Sequence, residues 1–134
     1  MYHRHIRIEF NHCDPAGIVF YPRYFEMTNS VVENFFREVV DLPFEAMMAI
    51  GVGVPTARIS TVFHAPSRLG EVLDWQLRVT KLGGTSLGLH IEAHCGPSHR
   101  LSTDLVLVHI DPNGRPQAWP PASRDKIAAF QEAP

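Results

Sequence analysis

Between Pro22 and Val40 the chain carries one long amphipathic pattern, and no other segment matches it in length. Tyr24, Met27, Val31, Phe35 and Val39, joined by Phe25, Val32 and Phe36, recur at three- and four-residue spacing, which predicts a helix with a broad apolar face. Pro22 suits its first turn, and Asp41 and Pro43 end it. Such a face needs a cover, and what remains of the chain reads as strands.

Residues 3–10 alternate Ile6, Ile8 and Phe10 with His5, Arg7 and Glu9, the period of a strand with one buried face. After a short helical patch from Phe44 to Ile50, closed by Gly51 and Gly53, a second extended segment runs from Pro55 to His64. Leu73, Trp75, Leu77 and Val79 alternate with polar residues, and Leu87 to Cys95 carries the next strand back. Between these two lies the turn Lys81-Leu82-Gly83-Gly84-Thr85, whose glycines are available for positive φ. Leu101 to Ile110 is the last strand, ending at Asp111-Pro112-Asn113-Gly114, and Ser123 is placed to cap a final helix to Phe130. This order predicts one α+β domain over residues 1–134, an antiparallel sheet packed around one long helix. Trp75 and Val108 are expected at an edge or outer face that only subunit pairing would cover, so a homo-oligomer is expected.

A formal charge of −2 and a pI near 6.4 give no reason to expect a nucleic acid or an anionic membrane as partner. Two cysteines, Cys13 and Cys95, are too few for a disulfide framework, and Met1 to Ile6 lacks an apolar signal core, so a reducing cytoplasm is the expectation. Every apolar run is broken by charge, Gly or Pro before it reaches the length of a membrane span.

Asn11 to Pro22, the loop ahead of the long helix, holds the chemistry. It places Asp14 shortly before a helix start, where unpaired N–H groups and the helix dipole present partial positive charge. A carboxylate beside an oxyanion site is what acyl transfer requires. Turn punctuation by Asp14-Pro15, or a helix cap, explains the same aspartate equally well from local sequence. The four bulky residues Ile18 to Tyr21 make a poor solvated turn, which predicts a loop buried against something.

The segment Phe10 to Tyr24, with Cys13-Asp14-Pro15-Ala16-Gly17-Ile18-Val19 followed by Tyr21-Pro22 and Tyr24, resembles the signature of the 4-hydroxybenzoyl-CoA thioesterase family of hotdog-fold proteins. The resemblance implies a five-stranded antiparallel sheet wrapped around the helix, in dimers joined edge to edge or in tetramers. It implies acyl-CoA hydrolysis with Asp14 as nucleophile or general base and the Tyr21 backbone N–H polarising the thioester carbonyl. CoA is then part of the substrate, and no separate cofactor is called for. Pro22 after the tyrosine is similar to the hydroxybenzoyl branch and favours an aromatic or bulky acyl group, with Gly17, Phe20, Phe25 and Asn29 as its neighbours. Asn29 departs from that branch's aspartate. By the same resemblance Lys81, Gly84, Thr85 and Ser86 meet the CoA nucleotide, with a plain hairpin turn as the competing explanation; Arg58, Arg68, Arg78 or Arg100 are expected to supply further charge from a neighbouring subunit.

Eight histidines invite a metal, but none of their pairs has zinc-motif spacing, so no metal is expected and strand-face histidines are the ordinary explanation. A non-catalytic module that binds acyl-CoA or an acyl-carrier protein is the alternative from a different class.

Overall fold

A computed structural model describes residues 1–131. Strand β1 (Tyr2–Arg7) leads through a turn of 3₁₀ helix (Phe10–His12) and the Asp14 loop into helix α1 (Pro22–Phe35). The short helix α2 (Phe44–Ala49) precedes β2 (Thr56–Phe63), β3 (Val72–Leu82), β4 (Ser86–Cys95) and β5 (Ser98–Val108), and α3 (Pro121–Ala128) comes last. The five strands form one antiparallel sheet in the order β1-β3-β4-β5-β2. This is the α+β arrangement expected, with β1 and β2 at the edges.

The apolar stripe of α1 buries Tyr24, Met27, Val31, Val32 and Phe35. These join Leu73, Trp75, Leu77 and Val79 of β3, Leu87, Leu89 and Ile91 of β4, and Leu101, Leu105 and Leu107 of β5 in a single apolar cluster. Fully burying one such side chain contributes about 1.5–3 kcal/mol, so this shared core outweighs any local propensity. Every second residue of the strands faces away from it, and that outer face is polar.

Several boundaries differ from expectation for physical reasons. The helical stretch to Val40 is not one α-helix, because Phe36–Val40 forms a π-helical turn that ends where Asp41 enters the left-handed region at φ 57°. β1 stops at Arg7, because the Ile8 N–H donates to the Glu71 carbonyl at 2.7 Å and His12 Nδ1 accepts from the Glu9 N–H at 2.8 Å, folding the chain into the 3₁₀ turn. Phe10 is therefore 83% exposed rather than buried. Helix α3 starts at Pro121, a proline-compatible first turn, leaving Ser123 buried inside the helix instead of capping it. Gly83 and Gly84 do not adopt positive φ; a Cβ at Gly83 would instead collide with Ser86 Oγ. Trp75, expected at an exposed edge or face, is fully buried on the inner face. Val108 is half-buried.

One ion pair fixes the crossover from β2 to β3. Arg100 of β5, itself buried, meets the two carboxylate oxygens of Glu71 at 2.8 and 2.9 Å and donates to the Pro66 carbonyl at 3.0 Å and Ser67 Oγ at 3.1 Å. Hydrogen bonds from Arg100 hold the Glu71 carboxyl down at about 2, against the opposing effect of burial. A lowered folded-state value means that this stabilisation is present above the ordinary carboxylate range and is lost as pH falls toward 2. Glu71→Gln should lower unfolding free energy by about 3 kcal/mol at neutral pH, because it leaves Arg100 buried without its charge partner. Urea titrations should also show the variant losing less stability than the parent between neutral pH and acid.

Candidate active site

The Asp14 loop is a small hairpin. Cys13 bridges Val19, the Asp14 N–H donates to the Ile18 carbonyl at 3.0 Å, and the Gly17 N–H donates back to the Asp14 carbonyl at 2.9 Å. Gly17 sits at φ +79°, a conformation that favours glycine. The hairpin is tied down at both ends: the Val19 N–H donates to the Ser67 carbonyl at 2.9 Å, and the Phe20 N–H to the His12 carbonyl at 2.9 Å. Through Ser67 the loop hangs from the Arg100–Glu71 pair.

Asp14 is half-buried in this hairpin, with its Oδ1 accepting from the Ala16 N–H at 2.9 Å. That bond gives the turn explanation a physical basis. The cap explanation fails, since α1 begins at Pro22 after Tyr21 and no side chain caps it. Among the described residues, no other side-chain hydrogen bond to the Asp14 carboxylate is formed. Cys13 points elsewhere, its thiol toward the Glu9 carbonyl at 3.6 Å. Tyr21 stands at the start of α1, with its carbonyl taking the Tyr24 N–H at 3.1 Å. Its own N–H has no acceptor among the described residues, as a helix start dictates.

The bulky loop residues are only partly covered. Val19 is buried, but Phe20 is 49% and Tyr21 59% exposed, so the expectation of a buried loop fails for these two rings in the single chain. They belong to a cluster that the sequence pattern missed. Phe63, at the end of β2, has ring centroids 6.2 Å from Tyr21, 5.7 Å from Tyr24 and 6.5 Å from Phe25. The imperfect alternation of β2 was the only available signal, and it reflects an edge strand exposed along nearly its whole length.

Phe25 and Asn29 line an apolar cavity of about 600 Å³ between α1, α2 and the β2–β5 end of the sheet. Val32, Met47, Ile59 and Leu107 are among the residues of its apolar wall, and Thr28 and Asn29 bring polar groups. Gly17, Phe20, Asp14 and Tyr21 are not among its lining residues.

The expected nucleotide residues are also divided. Lys81 and Ser86 line a polar groove of about 740 Å³ on the outer face of the sheet, together with Arg58, Ser60 and Asp104. Gly84 is exposed at the turn, while the Thr85 carbonyl accepts from the His109 N–H at 2.8 Å. Arg58 thus joins Lys81 within one chain. Arg100 is committed to Glu71 and is no free source of charge.

The pattern of the thioesterase-like superfamily matches residues 8–130. This chain belongs to that superfamily. It is 23% identical over 129 residues to the acyl-CoA thioester hydrolase YbgC of Escherichia coli O157:H7, a match covering 95% of this chain and 93% of that one. The fold is similar to that of gentisyl-coenzyme A thioesterase BH1999, with a TM-score of 0.86 at 21% identity, covering 94% of this chain and 99% of that one. It is likewise similar to Slr0204 of Synechocystis, a 1,4-dihydroxy-2-naphthoyl-CoA thioesterase, with a TM-score of 0.87 at 18% identity and 95% of both chains covered. The hotdog thioesterase fold is therefore shared across these proteins.

Gly17→Ala should cost about 1 kcal/mol, since a Cβ there meets no atom within 4 Å and only the backbone conformation opposes it. Gly17→Asn should cost less. Thermal unfolding of both variants measures the difference.

Proposed function

We propose that this member of the thioesterase-like superfamily hydrolyses an acyl-CoA thioester to a carboxylic acid and CoA. The observation that carries the reading is the Asp14 hairpin, anchored beside the start of α1, whose Tyr21 N–H is left without an acceptor. In this reading the thioester carbonyl accepts from that N–H, and Asp14 either attacks the carbonyl carbon, expelling CoA thiolate and leaving a mixed anhydride that water then hydrolyses, or takes a proton from the attacking water. Negative charge developing on the carbonyl oxygen is met by a fixed donor at the positive end of a helix. The thiolate of CoA is a good leaving group, so one carboxylate is enough.

The apolar cavity beside Phe25 and Asn29 supports a bulky acyl group, and Asn29 brings a polar side chain able to read a substituent on it. Relatives acting on gentisyl and dihydroxynaphthoyl thioesters make an aryl group the first choice. Lys81, Arg58 and Ser86 supply the charge and hydroxyl for the nucleotide phosphates. A homo-oligomer built through the β2 edge, with the sheet closing around α1, would cover Phe63, Tyr21 and Phe20. The oligomer takes its support from those exposed rings rather than from Trp75. Sedimentation as a monomer at micromolar concentration would count against it.

Asp14→Asn should lower the turnover of aryl-CoA thioesters, followed by thiol release, by about a thousandfold with the fold intact by circular dichroism. Retained turnover would sink the mechanism, and CoA-ester binding without thiol release by the parent protein would favour a binding module. Tyr21→Phe should be close to neutral. Tyr21→Pro removes the N–H at φ −52°, a value proline accepts, together with the ring, and should cost about a hundredfold relative to Tyr21→Ala, which loses the ring and keeps the N–H.

A further inference from the structure

The outer face of the sheet gathers four of the histidines around one carboxylate. Antiparallel register sets His94 of β4 directly opposite His99 of β5, and Glu92 lies two residues before His94 on the same face. His94 Nε2 stands 2.9 Å and His99 Nε2 3.4 Å from the same oxygen, Glu92 Oε1. The two imidazoles stack with centroids 4.5 Å apart and planes 7° from parallel, and the His64 ring lies 4.3 Å from that of His99 at a tilt of 35°. The remaining Glu92 oxygen, Oε2, is held by His90 Nε2 at 2.7 Å, and His90 Nδ1 contacts Asp104 Oδ1 at 2.9 Å.

We propose that Glu92, His94 and His99 form a binding site for one borderline-soft divalent transition-metal ion of the Zn²⁺ class. One donor atom from each of the three residues lies within 4.8 Å of the others. Ligands about 2.0–2.2 Å from a tetrahedral Zn²⁺ stand roughly 3.3 Å apart, so small side-chain rotations bring all three to one ion. Two imidazole nitrogens and a carboxylate oxygen form a donor set that selects zinc-like ions over magnesium or calcium. All three residues are half-buried on rigid central strands, so little order is lost on binding. The environment also has the supporting contacts a metal ligand needs: His90 fixes the carboxylate through its other oxygen, and Asp104 fixes His90. Binding gives up the hydrogen bond from His99 Nε2 to the Leu101 carbonyl at 2.9 Å, together with the His94–Glu92 contact, in exchange for coordination. With three protein donors the fourth position is left for water. The site lies on the face opposite α1, apart from Asp14.

Isothermal titration of the untagged full chain, stripped with chelator and titrated with Zn²⁺ alone at neutral pH, tests the site. One saturable ion per chain is expected. His94→Ala and His99→Ala should each weaken binding at least about tenfold, while His3→Ala, on the same sheet face but outside the cluster, should leave it unchanged. Electron paramagnetic resonance of the unmutated protein with one equivalent of Cu²⁺ should show hyperfine coupling to two imidazole nitrogens, a readout independent of whether the variants fold. Absence of saturable binding, binding that survives both substitutions, equal loss in His3→Ala, or no nitrogen coupling would each overturn the proposal.

Discussion

The bidentate pair between Arg100 and Glu71 is the contact on which the functional end of the molecule depends. It joins β5 to the crossover between β2 and β3, and the same guanidinium holds the Pro66 carbonyl and Ser67 hydroxyl. Ser67 in turn accepts the Val19 N–H, so the hairpin carrying Asp14 is positioned by a charge two steps removed from it. Arginine suits this task because its planar fork satisfies two carboxylate oxygens and still has donors for the backbone. A lysine would leave part of that buried polar surface without partners.

The sheet divides the remaining work between its two faces. Residues of β5 show the division: Leu107 borders the apolar cavity, Asp104 and Val106 border the polar groove, and Leu105 between them borders both. An acyl-CoA has an apolar end and a polyanionic end. On the proposed function, one molecule of it cannot occupy the cavity and the groove of the same chain without passing around the β2 edge. The two half-sites are more simply used together when a cavity from one copy faces a groove from another.

Elements governed by local periodicity were legible in the sequence. The strands, the glycine turn after Lys81 and the helix over Tyr24 to Phe35 follow from spacing alone, and the family signature around Asp14 identified the superfamily. What escaped were relations created only by register and crossover. Arg100 and Glu71 are remote in sequence and look like ordinary surface charges. His94 and His99 have no motif spacing, because the turn after Cys95 and the antiparallel pairing bring them opposite one another. Phe63 resembled the end of an irregular strand, whereas its ring is the meeting point of Tyr21, Tyr24 and Phe25. Trp75 was misplaced for the converse reason: a large aromatic in an alternating strand is neutral as to which face is the core until the whole sheet is laid out.

That aromatic group bears on how the proposed chemistry would run. Phe20, Tyr21, Phe25 and Phe63 are each at least a third exposed, and they surround the start of α1 beside the bare β2 edge. A contiguous aromatic surface along an open strand edge is costly to leave in water, and covering it contributes to association. The same covering would remove water from Asp14 and the Tyr21 N–H. A single donor gains most when the dielectric around the developing oxyanion is low, because the interaction between charges scales inversely with it. Association and catalysis would then draw on one surface: the rings that bring two copies together also dry the site in which one carboxylate and one amide must suffice.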